Sequence, residues 1–557
     1  MATITLGKVA IKWRGVYDAA LTYTAQDVVS EGGSSYIAKT NVPIASLPST
    51  NATLWDVFAQ GVEGVTTTAG ELIYHNGTDL EALPVGTAGQ ILKLDNTGIP
   101  EWSTYSARQG VRAKSLVEGN RLMYRRGACV MQDGSARWWG RGENWMHGVG
   151  NSISDRSYPV RTGFPFGAAK ISRMWGEYDY MSGAITEDGK WWAWGQNDNG
   201  EIGSGNTTDT YVPYCASDRT QNSIHGKTII EYAPMSSNEN GVSTLLLASD
   251  GTVHSTGYNG YGQLGFGDTT QRTSFTQVPV LAGITKLSRG RSQETSCLAL
   301  KSDGTLYAWG RNSYGQLGTG NTTQMNIPMQ INYFVSNSIT IVDMGQGQDT
   351  SWAIDDAKNL YTWGYNGYGN CGRNGTTTNT VTYTPAVALT NVVYCDNFTD
   401  DYNNMYAIKA DGSVWATGAN NYGCLGVAAD TTNRSSFTQC KKTDGTYFTN
   451  ATKVWCNGSG SYNYAYILDA TGVAWSVGYS GNGQLGSGTY DGNNYYFRQV
   501  LIHRRQVMDI RLVGNSSEGG AIFLLDDGQV LQTGYAGESQ LPEDDDENIS
   551  VPMPVIF

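Results

Sequence analysis

Apolar and polar residues alternate in short runs along most of the chain after about residue 105. One complete unit consists of an apolar run "SCLALKS", an Asp-Gly turn, an alternating run "TLYAWG" and a later "P-x-x-V" run. Asp-Gly between two such runs is typical of a tight hairpin turn, and a period of two is typical of a half-buried strand. Each unit is therefore predicted to form a small sheet.

The turn and the strand after it occur eight times, and each copy ends in a glycine. The copies read "DGSARWWG" at 133, "DGKWWAWG" at 188, "DGTVHSTG" at 250, "DGTLYAWG" at 303, "AKNLYTWG" at 357, "DGSVWATG" at 411, "TGVAWSVG" at 471 and "DGQVLQTG" at 527. The closing glycines are Gly140, Gly195, Gly257, Gly310, Gly364, Gly418, Gly478 and Gly534. A sheet this small cannot bury both faces alone, so radial stacking of the copies predicts an all-β propeller.

Composition and charge narrow the classes of partner. The 557 residues include 70 Gly, 34 Tyr and 16 Trp, which favours many turns between aromatic strands. The net charge of −13, without a run of Lys and Arg, argues against nucleic-acid binding. The pair Arg504 and Arg505 is interpreted as a solvated corner.

Targeting signals and cysteines add two expectations. No stretch has the roughly 18 to 20 consecutive apolar residues of a membrane span, and the N-terminus lacks the pattern of a secretory signal, so neither membrane insertion nor secretion is expected. The eight cysteines are single and without metal-ligand spacing, which favours small buried residues in a reducing compartment over disulfides. They are Cys129, Cys215, Cys297, Cys371, Cys395, Cys424, Cys440 and Cys456.

The repeated pattern "DG-x-(V/L/W)-x-x-x-G-x-N-x-x-G-x-L-G" resembles the regulator-of-chromosome-condensation repeat family over residues 105–557. The resemblance implies a β-propeller, usually with seven blades. Eight copies favour eight blades here, and seven blades plus an accessory copy is the alternative. The first copy continues as "GRGENWMHGVG" and the last as "GYAGESQLPEDDD", so the point of ring closure is left open. The resemblance also implies guanine-nucleotide exchange and chromatin docking, against which the acidic charge argues.

Two shorter regions precede the propeller. Residues 1–60 resemble small β modules of the chitin-binding type, through aromatic residues in the expected order. Residues 61–104 are interpreted as a hairpin linker, and "LPVGTAGQIL" within them resembles segments of bacteriophage tail fibres. In the first module the candidates for sugar stacking are Trp13, Tyr36 and Trp55, although for the two tryptophans a place in the core is favoured over that role.

Catalytic chemistry is not indicated by the sequence. No nucleophile elbow, phosphate loop or zinc motif occurs, and the five histidines have no metal-ligand spacing. The predictions are accordingly no enzyme, no cofactor and no metal site. Capture of a divalent cation by loop acids is kept as a minor alternative to hydration.

Recognition is predicted for the segments just before the Asp-Gly turns, because these segments vary while the strands repeat. Six of seven carry an acid near the same offset, and the seventh has a tyrosine. The candidate receptor-binding residues are Asp179, Tyr180, Glu239, Glu294, Asp349, Asp401, Tyr402, Tyr462 and Glu518. The tyrosines of the "NxYGQLG" segments are placed on the opposite face, where blade packing is favoured over sugar stacking.

Together these features predict a bacteriophage virion protein, such as a tail fibre, located in the virion. It would bind other virion proteins and a host-surface glycan or protein receptor through the propeller. A structural decoration without ligand and a carbohydrate-active enzyme are the alternatives. A homotrimer is left open, because no sustained heptads enforce one.

Overall fold

A computed structural model gives the fold, and it divides the chain into two compact units, residues 1–108 and 109–557. In the first unit it describes residues 12–16, 18, 20–22, 27–31, 34–38, 41, 55–59, 72–75, 80–83, 90–94 and 100–104. From residue 112 onward it describes all but 119–125, 142–146, 151–155, 165–169, 178–180, 238–240, 289–294, 348, 375–380, 399–403, 458–461, 503–504, 514–518, 536–547 and 556.

The first unit contains a four-stranded sheet and two hairpins. The sheet is formed by β1 (Lys12–Val16), β2 (Asp27–Glu31), β3 (Ser34–Ala38) and β4 (Trp55–Ala59). The hairpins are β5 (Leu72–His75) with β6 (Leu80–Leu83) and β7 (Gln90–Leu94) with β8 (Pro100–Thr104). Strands β1 and β2 are parallel, and the other pairs are antiparallel.

The second unit consists of eight sheets, or blades, of four consecutive strands each. Blade one contains β9 (Ala113–Leu116), β10 (Arg126–Met131), β11 (Ala136–Gly140) and β12 (Arg156–Arg161). Blade two contains β13 (Ile171–Glu177), β14 (Met181–Thr186), β15 (Trp191–Gly195) and β16 (Thr210–Cys215). Blade three contains β17 (Ile229–Ser237), β18 (Gly241–Ala248), β19 (Val253–Gly257) and β20 (Arg272–Gln277). Blade four contains β21 (Ile284–Leu287), β22 (Ser296–Lys301), β23 (Leu306–Gly310) and β24 (Met325–Gln330).

The remaining blades repeat this order. Blade five contains β25 (Ile341–Gln346), β26 (Thr350–Asp355), β27 (Leu360–Tyr365) and β28 (Val381–Leu389). Blade six contains β29 (Val392–Phe398), β30 (Asn404–Lys409), β31 (Val414–Gly418) and β32 (Arg434–Gln439). Blade seven contains β33 (Ala451–Asn457), β34 (Tyr464–Asp469), β35 (Ala474–Gly478) and β36 (Asn494–Gln499). Blade eight contains β37 (Val507–Val513), β38 (Gly520–Leu525), β39 (Val530–Gly534) and β40 (Ile549–Pro554).

The eight-bladed, all-β prediction is confirmed, and so is the equivalence of the closing glycines. In seven of the eight copies the closing glycine pairs with the first residue of the second strand, as Gly310 pairs with Ser296, and in blade three Gly257 pairs with Ser243, the third residue of β18. A Cβ on Gly310 would lie 2.1 Å from the carbonyl oxygen of Thr295, so only glycine fits there. The equivalent Gly195, Gly257, Gly310, Gly364 and Gly418 have φ between 94° and 109°.

The hydrophobic core lies between neighbouring blades. The second and third strands of a blade are buried on both faces, whereas the fourth strand is half exposed. One cluster joins Leu245 and Leu247 of blade three to Cys297 and Trp309 of blade four. Each blade is therefore stabilised by its two neighbours. All eight cysteines are buried and none forms a disulfide, as expected.

The ring closes by side-by-side packing of blades eight and one, because each blade is continuous in sequence and neither exchanges a strand. The Trp139 indole donates to Gln532 Oε1 at 2.6 Å, and its ring centroid lies 6.2 Å from that of Phe557. Arg511 Nε donates to the carbonyl oxygen of Val117 at 3.0 Å. The first and last copies are therefore complete blades, despite their departures from the repeat pattern.

Helices are short in the described part of the chain. The α-helix, α1, covers Asn332–Ser336 between blades four and five. Among the described residues, no helix has the length and apolar character needed to span a bilayer.

Candidate functional site

The segments that join the first strand to the second and the third strand to the fourth leave a blade at the same end. In blade seven, Tyr462 lies between β33 and β34, Tyr479 lies between β35 and β36, and their ring centroids are 4.5 Å apart. We call the surface built by these two kinds of segment the loop face. The surface built by the Asp-Gly turns and the connections between blades is the opposite face. The prediction that the "NxYGQLG" tyrosines lie on the opposite face is wrong, because two reversals bring the chain back to the same end.

An asparagine organises the "NxYGQLG" segment in blades two, three and four. Asn312 Oδ1 accepts a hydrogen bond from the Leu317 amide at 3.0 Å, and its Nδ2 donates to the carbonyl oxygens of Asn321 and Thr323, both at 3.0 Å. The same three contacts are made by Asn197 and Asn259. Since one buried side chain satisfies three backbone groups, the segment has a fixed conformation.

Each such segment is also bound to the next blade. The Trp363 indole and the Ser351 hydroxyl of blade five donate to the carbonyl oxygen of Gln316 in blade four, at 2.9 and 2.8 Å. The amide of Gly320 donates to the carbonyl oxygen of Tyr383 in β28 at 3.0 Å. The loop face is therefore held by the same contacts that hold the ring together.

The hydroxyl end of a tyrosine ring lies against a glycine in three of these segments. A Cβ on Gly481 would lie 2.0 Å from the Tyr479 hydroxyl, although Gly481 does not need a left-handed backbone. Gly260 beneath Tyr258 and Gly367 beneath Tyr365 have the same relation, at 2.1 and 2.2 Å. The glycine two residues after the tyrosine therefore fixes the position of the ring.

Three half-buried tyrosines meet at the boundary of blades six and seven, and we call them the tyrosine triad: Tyr422, Tyr462 and Tyr479. Tyr422 is stacked on Tyr462 with a centroid distance of 5.3 Å and contacts Tyr479 edge-on at 5.0 Å. Burial, followed by the neighbouring phenols, raises the pKa of Tyr422 and Tyr479. The phenols of Tyr422 and Tyr479 are therefore neutral hydrogen-bonding groups at neutral pH.

Asp349 lies at the base of the loop face between blades four and five. Its carboxylate is 3.5 Å from the Arg311 guanidinium and accepts a hydrogen bond from Gln316 Nε2 at 3.2 Å. Burial raises its pKa to about 6, and Arg311 opposes the rise. Asp349 thus holds neighbouring blades together and presents little surface to a ligand.

Glu201 occupies the place that glutamine has in other copies. Its Oε2 accepts from the Asn199 amide at 2.8 Å, as Gln316 Oε1 accepts from the Tyr314 amide at 2.9 Å. Only 1% of Glu201 is exposed, and this burial raises its pKa to about 8, with Asp198 and Asp209 adding to the rise. The carboxyl is therefore largely protonated at pH 7.

Charge is distributed unequally between the two faces. By sequence, the segments that join the first strand to the second and the third strand to the fourth contain 22 Asp and Glu against 7 Lys and Arg. The segments of the opposite face, from residue 132 to residue 506 and at the turn 526–529, contain 11 acidic and 9 basic residues. Among the described residues, the loop-face segments carry 8 acidic and 3 basic residues, and the segments of the opposite face carry 11 and 8.

Most of the predicted receptor-binding residues lie outside the described part of the chain. Asp349 and Tyr462 are described, at the positions given above. Counted back from the residue that pairs with the closing glycine, the six acids stand one to four positions away, so their offset is not constant. Outside the described residues lie Asp179, Tyr180, Glu239, Glu294, Asp401, Tyr402 and Glu518. Trp13, Tyr36 and Trp55 belong to β1, β3 and β4, and the structure does not describe their side chains, so their sugar-stacking role stays a prediction.

Sequence reasoning missed a belt of alternating charges on the first strands, which contact one another around the centre of the ring. In blades two to five the first strand has a one-residue bulge near its start, and the residue after the bulge belongs to the belt. In blades two to five this residue is Arg173, Glu231, Lys286 and Asp343. Lys286 pairs with Asp343, and the three residues Glu231, Lys286 and Asp343 line a central cavity of about 210 Å³. The signal in the sequence was an apolar residue two positions before each charge.

Metal binding finds no support in the described part of the chain, where no three His, Cys, Asp or Glu side chains come together. The loop acids that were considered as ligands of a divalent cation lie mostly outside the described residues.

Comparisons with known proteins agree with this architecture. Residues 303–354 match the family model described as "Regulator of chromosome condensation (RCC1) repeat". The ultraviolet-B receptor UVR8 of Arabidopsis thaliana is 27% identical over 359 residues, which cover 64% of this chain and 76% of UVR8. The human E3 ubiquitin-protein ligase HERC2 is 29% identical over 187 residues, 33% of this chain but only 4% of HERC2. The structure of Prp20p from Saccharomyces cerevisiae, described with its binding properties to Gsp1p and histones, superimposes with a TM-score of 0.51 at 17% identity, covering 74% of this chain and 92% of Prp20p.

The fold and these matches define an RCC1-like β-propeller. UVR8 is described as a receptor for ultraviolet-B light, and Prp20p is described by its binding to Gsp1p and histones. The matched family model is named for a regulator of chromosome condensation.

These findings overturn the prediction of a bacteriophage virion protein, because the relatives are eukaryotic proteins that sense, regulate or bind other proteins. The predicted partners, other virion proteins and a host receptor, and the predicted location in the virion are wrong for the same reason. The error came from the ten-residue segment "LPVGTAGQIL": a motif that short carries less information than an alignment of 359 residues.

Proposed function

We propose that the propeller is a non-catalytic protein-recognition platform whose loop face binds a basic protein segment. The observation that carries the proposal is the excess of acidic over basic residues in the sequence of the segments between these strands, 22 against 7, of which 8 and 3 are described on the loop face. A surface of one charge sign attracts a partner of the opposite sign and accelerates its association.

The construction of the loop face supports the same proposal. Its segments after the third strands of blades two, three and four are fixed by asparagine side chains and by hydrogen bonds to the next blade, so binding there orders little of the protein. Half-buried tyrosines such as Tyr422 and Tyr479 supply the aromatic area that protein interfaces favour. The comparison with Prp20p, described together with histone binding, suggests a histone tail as a convenient basic probe.

A charge-reversal experiment tests the proposal. Asp198 and Asp491 are exposed on the loop face, and Asp198→Lys/Asp491→Lys changes its charge by +4. We expect the affinity of the full chain for a labelled histone H3 tail peptide, measured by fluorescence anisotropy, to fall about tenfold or more at low salt.

The matched control makes the same change of charge on the opposite face. Glu187 and Asp356 are exposed there, and Glu187→Lys/Asp356→Lys should leave the affinity within about twofold, because those positions face away from the peptide. Equal losses in the two variants would show that only net charge matters. No binding by the unaltered chain would reject the function.

For the N-terminal region we propose the boundaries 1–60, 61–104 and 105–557. Strands β1 to β4 pair only with one another, so residues 1–60 contain a complete sheet. We expect residues 1–60, produced without the propeller, to give a dispersed amide spectrum by NMR. A spectrum typical of an unfolded chain would contradict a separate module.

A further inference from the structure

One inter-blade tyrosine pair occurs twice on the loop face. Tyr314 of blade four contacts Tyr365 of blade five edge-on, with centroids 5.3 Å apart at 76°. Tyr422 of blade six contacts Tyr479 of blade seven at 5.0 Å and 67°. Counted from the closing glycines, Tyr422 is equivalent to Tyr314, and Tyr479 is equivalent to Tyr365. Equivalent rings therefore meet at both blade boundaries.

An arginine of the chain itself occupies the first pair. The Arg311 guanidinium lies over the Tyr314 ring, 5.6 Å from its centroid, and is 3.5 Å from the Asp349 carboxylate. A guanidinium over the face of a tyrosine is attracted by the negative charge of the π system. In blade four, a guanidinium thus lies on one ring of such a tyrosine pair.

The second pair lacks this arginine. The residue equivalent to Arg311 is Ala419, and no Lys or Arg among the described residues lies over a ring of the tyrosine triad. Tyr462 is stacked on Tyr422 instead and extends the aromatic surface outward. Tyr422 also has φ 56°, a left-handed conformation that Tyr314 does not share. A residue of this kind adopts such a backbone only at a cost, which is common at binding sites.

We infer that the tyrosine triad is the anchoring site for an arginine side chain of the basic segment, an inference that rests on the proposed function. The incoming guanidinium stacks on the exposed aromatic surface, as Arg311 does on Tyr314. The loop-face acids attract the segment, and the triad fixes its register.

Arginine rather than lysine is the expected ligand. A guanidinium is planar and weakly hydrated, so it stacks on a ring with little loss of hydration, whereas an ammonium group is compact and strongly hydrated. Attraction by charge alone does not distinguish the two side chains. A preference for arginine therefore reports on the triad separately from the acidic surface.

The test compares two basic peptides on the full chain, identical except that every arginine of one is lysine in the other. We expect the arginine peptide to bind about three- to fivefold more tightly in fluorescence anisotropy. Tyr422→Leu/Tyr462→Leu should abolish this ratio and leave the affinity for the lysine peptide unchanged.

Two further variants make the result decisive. Tyr447 is exposed on the opposite face, and Tyr447→Leu should keep the ratio. If the triad variant does not fold, as judged by thermal unfolding, Tyr462→Ser alone should reduce the ratio, and Tyr462→Phe should preserve it.

The outcomes separate the inference from the proposed function. Equal binding of both peptides to the unaltered chain, or an arginine preference that survives in the triad variant, overturns the inference. If Asp198→Lys/Asp491→Lys still lowers the affinity for both peptides in that case, the proposed function stands and only the inference about the triad is lost. Failure of both peptides to bind overturns both.

Discussion

Trp139→Ala is expected to lower the free energy of unfolding by about 3–5 kcal/mol, the usual cost of removing a large buried aromatic side chain. Trp139 is 0% exposed in the core cluster that joins blades one, two and eight. Its loss also leaves Gln532 without the indole donor at the closure of the ring. Urea unfolding followed by far-UV circular dichroism measures the change.

Trp415→Ala is the control for this prediction. Trp415 also lies in the third strand of a blade, but it is only partly buried, and its indole bonds within its own blade, to Ser413. Its replacement should cost clearly less, about 1–2 kcal/mol. If both variants lose the same stability, the closure contacts of Trp139 do not have the importance assigned to them.

Glu201→Gln is expected to stabilise the protein by about 1–3 kcal/mol at pH 8, because glutamine keeps the hydrogen bond from Asn199 without a buried charge. In the native chain the pKa of Glu201 is raised to about 8, above its ordinary value. Between the ordinary pKa of a glutamate and pH 8, the Glu201 carboxyl of the unfolded state releases a proton that the folded state retains. The contribution of Glu201 to the free energy of unfolding is therefore fully present at low pH and is lost as the pH rises toward 8.

Thermal unfolding at pH 5, 6, 7 and 8 measures this dependence. The unaltered chain should lose stability across the series, with Asp349, whose pKa is raised to about 6, contributing in the same direction. Glu201→Gln should flatten the dependence in the upper half of the range. A variant that is less stable than the unaltered chain at pH 8 would show that the carboxylate is stabilised by its surroundings.

The blades were predictable because their signals are local. An Asp-Gly turn such as that at Asp303 forms a hairpin with its immediate neighbours, and its closing glycine Gly310 is required by the Thr295 carbonyl across the same hairpin. Counting these units gave the correct number of blades. The sequence alone did not show that blades eight and one close the ring without exchanging a strand, since that depends on contacts such as Trp139 with Gln532.

The candidate site was less predictable because it depends on which residues meet in space. Tyr422 and Tyr462 are 40 positions apart and belong to different blades, and no pattern along the chain brings them together. The belt residue Arg173 was missed because the bulge before it breaks the alternation that identifies a strand. Asp349 was correctly identified as a loop acid, but its burial between blades could not be read from its neighbours.

Hydrogen–deuterium exchange of the full chain, with and without a saturating histone tail peptide, tests the loop face most directly. We predict slower exchange in the loop-face segments 419–433 and 479–493, and unchanged exchange in the opposite-face turns 410–413 and 470–473. Protection confined to the opposite-face turns, or bound peptide without protection of either loop-face segment, would contradict the assignment of recognition to this face.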